Sequence, residues 1–434
     1  MSERLDLVIV NGTVVTAAGR RQADVAIRDG RIHALGERHE FDESAAELLD
    51  AGGLFVLPGV IDGHVHFREP GLEHKETWLT GSRAAVHGGV TTVLEMPNTV
   101  PPTRSVADAL AKLELAAASS YCDFGIFGLV DPPSIAGLPE LLESGLIVGL
   151  KVFLAPSTGG IAAPTDEQLL RALALARAVG MRTAFHAEDG RTIQASGGAR
   201  PIEAEVRAID HAAGMLSRSG AAGHILHLSS EAGIEAVRRW RARGVDLTCE
   251  VTPHHLLLRS PDEAKVYPPL RGEPHTEALM AALVDGTIDC VASDHAPHSP
   301  AEKSGPDPSR LAAGAPGVET MVPLMLTLVD AGRLSLERMV AVTSEGPART
   351  WGLWPAKGSL DPGADADLVV VELASEGVIR GAELHGMHPM TPFEGRVIHG
   401  RAIATLVRGQ VVAGGEQPRG APGWGRPVSR QSPS

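Results

Sequence analysis

Between residues 58 and about 350 the chain repeats one pattern: a short apolar run, then a longer stretch whose apolar positions recur at helical spacing. Eight runs read as strands, at 58–64, 90–96, 123–130, 147–154, 182–186, 223–228, 246–251 and 288–293. Helical spacing predicts helices near 77–88, 104–119, 136–144, 166–179, 202–219, 230–243 and 275–285, with another from about Val318. Thr165-Asp-Glu-Gln168 illustrates the reading. It has the spacing of a capping box, Leu169, Leu173 and Ala176 follow on one face, and Gly180 ends the run. Eight such alternations predict a (β/α)8 TIM-type barrel.

The two ends of the chain have a different texture. Leu7-Val-Ile-Val10 runs into Asn11-Gly12, and Asp24-Val-Ala-Ile-Arg28 runs into Asp29-Gly30, dipeptides that favour two-residue hairpin turns. Asp367–Glu372 and Ala404–Val407 repeat the strand character near the C-terminus, punctuated by His399-Gly400 and Arg408-Gly409. The expectation is a small β-sandwich domain built from both termini, residues 1–57 and 351–413, around a barrel at 58–350. From 414 to 434 the chain is Gly, Pro, Ser and Arg with little to bury, which predicts a disordered tail.

Composition narrows the function classes. At 434 residues and 43% hydrophobic, the chain can bury a sizeable core. Its formal charge of −14 argues against nucleic acid or an anionic membrane as a partner. No apolar run approaches the ~18 residues of a membrane span, and Met1-Ser-Glu-Arg-Leu-Asp6 has no secretory pattern. Cys122, Cys249 and Cys290 lie far apart in apolar contexts, as buried thiols in a reducing compartment would. A cytoplasmic location is the expectation.

Reactive groups in such barrels sit at the C-terminal ends of the strands. Read there, the first strand delivers His64 and His66, which alternation places on one face. The fourth carries Lys151 inside an apolar run, the fifth ends at His186, the sixth at His227 and the eighth at Asp294. Singly, each has a plain explanation: a satisfied core histidine, a snorkelling lysine, a helix N-cap. Together, five strands aim metal-competent groups at one rim. Imidazoles with carboxylate oxygens suit zinc, with manganese or cobalt as substitutes. An ammonium cannot bind a cation, so Lys151 joins such a site only as a carbamate formed with CO2, which could bridge two ions. His64, His66 and Asp294 would then hold one ion, His186 and His227 the other, and Lys151 both. In that scheme Asp294 is also the catalytic proton carrier.

The chain resembles the dihydroorotases of the amidohydrolase superfamily, from its N-terminal β segment to about residue 412. The resemblance rests on His64-Val-His-Phe-Arg-Glu-Pro-Gly71, Gly89-Val-Thr-Thr-Val-Leu-Glu-Met-Pro-Asn-Thr99, Cys249-Glu-Val-Thr-Pro-His-His255 and Ser293-Asp-His-Ala-Pro-His298. Gly317-Val-Glu-Thr320 and the run from Lys357 to Leu368 also fit. It implies two zinc ions per chain on the ligands just named, bridged by carboxylated Lys151. The implied reaction is the reversible opening of dihydroorotate to N-carbamoyl-L-aspartate, a step of pyrimidine biosynthesis. Arg68, two residues past His66, matches the substrate carboxylate with paired hydrogen bonds. Resemblance adds Asn98 and His298 to that grip, and implies a homo-oligomer (dimer or tetramer) and association with an aspartate transcarbamoylase. One departure stands out: the motif after the seventh strand reads Tyr267-Pro-Pro-Leu-Arg271, where many dihydroorotases have asparagine first. That keeps allantoinases, hydantoinases and dihydropyrimidinases as alternatives, and a non-catalytic assembly partner as a second. The polar stretch Ser299–Ser309 beside the eighth strand reads as a lid or a plain rim loop.

Overall fold

The structure, a computed structural model, describes residues 4–41, 44–155, 160–260, 264–307, 310–414 and 420–431. Eight parallel strands follow one another around a barrel in sequence order: Val60–Val65, Val90–Glu95, Asp123–Val130, Gly149–Phe153, Thr183–His186, Gly223–Ile225, Leu247–Val251 and Cys290–Val291. A parallel bridge between Val65 and His295 closes the ring, with His66 N donating to His295 O at 2.7 Å. Each expected strand is present at its expected place.

The helices follow from their caps. Thr77 caps Trp78–His87, Ser105 caps Val106–Ser119, and Thr165 with Gln168 forms the reciprocal capping box on Asp166–Ala178. The helix expected from Val318 starts at Met321, because Gly317 O first accepts from Thr320 N and Met321 N. Their apolar faces pack on the strands in one continuous core. Inside the barrel the floor is sealed by Trp351 and Leu353 against Ile61, Leu94 and Phe127. Trp351 meets Phe127 edge-on at 4.8 Å between ring centroids. These two residues lie beyond the barrel boundary expected at 350, since the chain re-enters the barrel before leaving it. With the floor plugged, the open end is the rim that carries the histidines.

Both termini build the second unit. A four-stranded sheet, in the order Arg31–Gly36, Asp24–Arg28, Leu7–Val10, Leu48–Asp50, is wholly N-terminal. A six-stranded sheet joins Thr13–Thr16, Gly19–Gln22 and Phe55–Pro58 to Leu368–Val378, Val397–Val407 and Gln410–Ala413. Ile9, Ile27, Val56, Leu368 and Leu406 fill the space between. Asp29-Gly30 and Arg408-Gly409 make the expected tight hairpins, all four residues at positive φ. Asn11-Gly12 does not. Leu7–Val10 and Thr13–Thr16 belong to different sheets, and Asn11 turns the corner with its N–H on Asp24 Oδ1 at 3.0 Å. His399-Gly400 likewise ends nothing: it sits within Val397–Val407, where Gly400 (φ 89°) lets the strand pass Leu326 closely.

The tail is the main correction. Residues 415–419 and 432–434 of the expected disordered segment lie outside the described residues, but 420–431 are packed against the barrel. Phe124 N donates to Arg426 O and Val428 N to Phe124 O, adding a rung beside the third strand. Trp424 Nε1 donates to Val407 O at 3.0 Å, and Arg426 N to Asp123 Oδ1 at 2.8 Å. Two isolated apolar residues, Trp424 and Val428, carry no periodic signal, so their docking is visible only once the fold supplies a partner. Among the described residues no helix is long and apolar enough to cross a membrane.

Candidate metal and substrate site

Local backbone geometry places the site. Arg68, His227 and Asp294 all have positive φ (67°, 37° and 45°), rare for non-glycine residues and costing each on the order of 1 kcal/mol. Each follows the end of its strand, where the turn swings the side chain over the barrel mouth.

Two nitrogen clusters result. His64 Nε2 and His66 Nε2 each lie 3.3 Å from Asp294 Oδ1, and these three residues form the one candidate metal-ligating group found among the described residues. His186 Nδ1 faces His227 Nε2 at 2.9 Å, and the rings of His64 and His227 are 5.5 Å apart, so the clusters adjoin. Lys151 is buried beside them. Its Nζ sits 4.5 Å from the Phe153 ring and makes no hydrogen bond or ion pair among the described residues. Burial pushes its ammonium down to about 7, against the pull of Asp294 and Glu250.

The hydrogen-bond partners of these groups set which lone pairs face inward. His64 Nδ1 bonds Glu250 Oε1 at 2.7 Å, His66 Nδ1 bonds Asn98 Oδ1 at 2.8 Å, and His186 Nε2 bonds Glu188 Oε2 at 2.9 Å. An oxygen acceptor on the outer nitrogen fixes the proton there and leaves the inner nitrogen's lone pair free. Glu250 also binds His224 Nε2 at 3.0 Å, and His224 reaches Thr248 Oγ1 at 2.8 Å. Burial works to raise the Glu250 carboxyl, but His64 and His224 outweigh it and hold it down to about 2. The same contest, decided by His64, His66 and His227, keeps Asp294 well below the usual carboxylate range. Burial keeps His66 near 3 and His227 well below its ordinary value, which favours the neutral form of these two imidazoles. Imidazoles with inward lone pairs beside a carboxylate are a donor set that fits a divalent cation.

Sequence reasoning had not singled out Glu250, Glu188 or His224 as site residues. The signal was present: Glu250 stands between Cys249 and Val251 in a strand interior, where an unpaired carboxylate would be costly.

Towards solvent the clusters open into a cavity lined also by Arg68, Asn98, Phe153, Tyr267, Ala296, Ala313 and Gly314. Arg68 is buried, with Nε donating to Pro297 O at 3.2 Å, and no carboxylate forms an ion pair with it among the described residues. Burial pushes it down to about 10. His298 is not among the lining residues. It packs behind Arg68, its Nδ1 3.2 Å from Lys75 Nζ and its Nε2 3.0 Å from Ala313 O. Lys75 can only donate, so Nδ1 accepts and Nε2–H donates to Ala313. Both nitrogens are therefore spent inside the protein.

The segment beyond is anchored. Pro300–Lys303 is a short helix closed by a Ser299–Glu302 capping box, Glu302 pairs with Lys75 at 2.8 Å, and Lys303 Nζ binds the carbonyls of Ala312 and Gly314. Gly314 (φ 134°) lies so close that a Cβ would stand 2.5 Å from Ala296 O. Ser309, the end of the expected lid, and residue 308 lie outside the described residues.

Comparison with known proteins shows what the chain as a whole is similar to. A model of the amidohydrolase family matches residues 55–412. A dihydroorotase from Methanosarcina mazei is 39% identical, over 97% of this chain and 97% of that one. An allantoinase from Rubrobacter xylanophilus is 37% identical over 94% of each. Among solved structures, the L-hydantoinase (dihydropyrimidinase) from Arthrobacter aurescens superposes with a TM-score of 0.93 at 33% identity, covering 98% of this chain and 100% of that one.

Proposed function

The chain belongs to the amidohydrolase family, and on that premise we propose that it is a dihydroorotase, opening the ring of dihydroorotate reversibly to N-carbamoyl-L-aspartate. The observation that carries this reading is Arg68. A buried guanidinium lining the cavity beside the histidines without a carboxylate partner among the described residues is an unmet demand for an anion. Dihydroorotate brings a ring carboxylate; allantoin and simple hydantoins do not.

His64, His66 and Asp294 would hold one zinc ion, His186 and His227 a second, and carboxylated Lys151 would reach both, supplying Lewis acidity to the ring carbonyl and a lowered pKa to water. The protein's own side chains do the rest. Lys151, with its ammonium depressed to about 7, is substantially the free amine near neutral pH, the form that adds to CO2 as its proton leaves. Arg68 takes the substrate carboxylate and Asn98 orients His66, fixing how the ring meets the histidines. Asp294, ionised and beside His64 and His66, is the carboxylate placed to take the proton of the attacking water and return it to the departing ring nitrogen. His298 packs behind Arg68, with Nε2 3.3 Å from Arg68 NH2, and supports the grip by packing.

A hydantoinase- or allantoinase-type activity is the second reading, favoured by Tyr267 in the cavity wall. A substrate panel separates the two. Zinc-loaded protein should show kcat/KM on dihydroorotate at least about 100-fold above that on hydantoin or allantoin, the worth of a buried charged pair. Faster turnover of the uncharged rings would reject the dihydroorotase reading.

A further inference from the structure

On the reading that this cavity takes a cyclic amide, we propose that Tyr267 forms the specificity-determining wall against the substrate ring, and that Arg200 is the positioning residue that holds this wall and ties it to His186.

Tyr267 lines the cavity, and its hydroxyl makes no hydrogen bond among the described residues. The ring is nonetheless fixed. The Arg200 guanidinium lies over it at 3.6 Å from the centroid, within reach of the negative face of the π system. Arg200 is itself nearly buried, and its NH1 donates to Glu188 Oε2. That same carboxylate oxygen accepts from His186 Nε2 at 2.9 Å. One line of contacts therefore runs from His186 through Glu188 and Arg200 to the phenol. The backbone on both sides is tied down as well: Arg271 NH1 donates to Arg200 O at 2.6 Å, and His255 Nε2 donates to Pro268 O at 3.0 Å.

The chemistry of the wall defines what it accepts. A clamped aromatic face favours a flat ring laid against it, and the free hydroxyl can donate to a ring carbonyl or accept from a ring N–H. The cyclic ureide edge of a dihydropyrimidine or a hydantoin offers both. Arg68 reads the carboxylate; Tyr267 reads the ring. The Arg200 charge is consumed by Glu188 and by the phenol face, so it holds the wall in place instead of adding a second anion site.

The test is steady-state kinetics of the full chain on dihydroorotate and on hydantoin, with zinc per chain measured on the same samples. Tyr267→Asn should raise KM about tenfold on whichever rings the wild type accepts, with kcat within about threefold and zinc unchanged. Tyr267→Phe should raise it about fivefold, the loss of one hydrogen bond. Arg200→Met should reproduce the KM effect of Tyr267→Asn and also lower zinc retention, because Glu188 loses the partner that aims it at His186. In the double variant KM should rise no further than in either single one. A KM within twofold of wild type for Tyr267→Asn overturns the wall; multiplicative effects in the double variant overturn the positioning role. Should Arg200→Met not fold, Arg200→Lys, which keeps a charge near Glu188 but no planar stack, must raise KM with zinc retained. A wild type that opens hydantoin but not dihydroorotate would sink the dihydroorotase reading alone, and the Tyr267 comparison is then decided on hydantoin.

Discussion

Replacing Arg68 by methionine separates function from stability in a way few substitutions would. Burial pushes the guanidinium down to about 10, and a depression of that size corresponds to on the order of 3 kcal/mol of unfavourable free energy for holding the cation inside the fold. The sign follows from the direction. The charged form is disfavoured by folding, so the cost is present at every pH below about 10 and is relieved only above it. Methionine matches the stem without the charge. It removes that cost and forfeits the hydrogen bond to Pro297 O, worth about 1 kcal/mol. The unliganded protein should therefore gain roughly 1–2 kcal/mol, read as a higher midpoint in thermal denaturation. Activity should move the other way. A bidentate charged pair in a buried site is worth roughly 3–5 kcal/mol, which predicts a fall in kcat/KM on dihydroorotate of about 100- to 4000-fold. Turnover of an uncharged cyclic amide should change by less than about threefold. Continuous ultraviolet assays on both substrates, with melting curves on the same preparations, decide it. Equal losses on charged and uncharged rings, or a large drop in stability, would refute Arg68 as an anion anchor kept at a cost to the fold.

The remaining expectations are shorter. Asp294→Ala should keep part of its zinc yet lose at least about 1000-fold in kcat; near wild-type rates would show that the proton moves by another route. Lys151→Ala should fall below two zinc ions per chain, and short carboxylic acids should partly restore zinc and rate; full occupancy without them would exclude the bridging carbamate. Burial depresses His255 to about 4, so its contribution to stability is complete above its ordinary 6.5 and is lost as pH falls towards 4. Between pH 6.5 and 5 that one group should cost about 2 kcal/mol, and His255→Gln should flatten the slope of urea midpoints measured across the range; an unchanged slope would contradict the assignment. Trp424→Ala should destabilise by about 2 kcal/mol through lost burial and the lost bond to Val407 O, whereas a melting midpoint equal to wild type would mean the docked tail contributes nothing.

What was legible in the sequence, and what was not, divides along a physical line. The barrel strands were readable because a strand buried on both faces is continuously apolar, and the helices because caps such as Thr165 and Gln168 are local. The metal-competent residues were readable because polar groups interrupting such strands at one end are conspicuous. Asn11-Gly12 misled because a hairpin dipeptide also serves where the chain crosses between sheets, a choice made by the partners of Leu7–Val10 and not by the turn itself. Trp424 and Val428 were unreadable because their partners, Val407 and Phe124, are supplied by the folded barrel and the second sheet.

His298 and Glu250 show the same limit within the site. Resemblance placed His298 on the substrate, but the structure turns its nitrogens to Lys75 and Ala313. Glu250 sat unremarked in an apolar strand, yet it joins His64 to His224 and decides which nitrogen of His64 faces inward. A sequence can name which residues are able to bind a metal or a carboxylate. It cannot say which of their donor atoms are already committed, because that depends on neighbours brought in from other strands. For this protein the commitment is the informative part: His298 is used up, whereas among the described residues Lys151 makes no hydrogen bond or ion pair and Arg68 no ion pair, and both line the same cavity. On the proposed reading Lys151 would become an anion by taking up CO2. On the same reading Arg68 would be satisfied by an anion that arrives with the substrate.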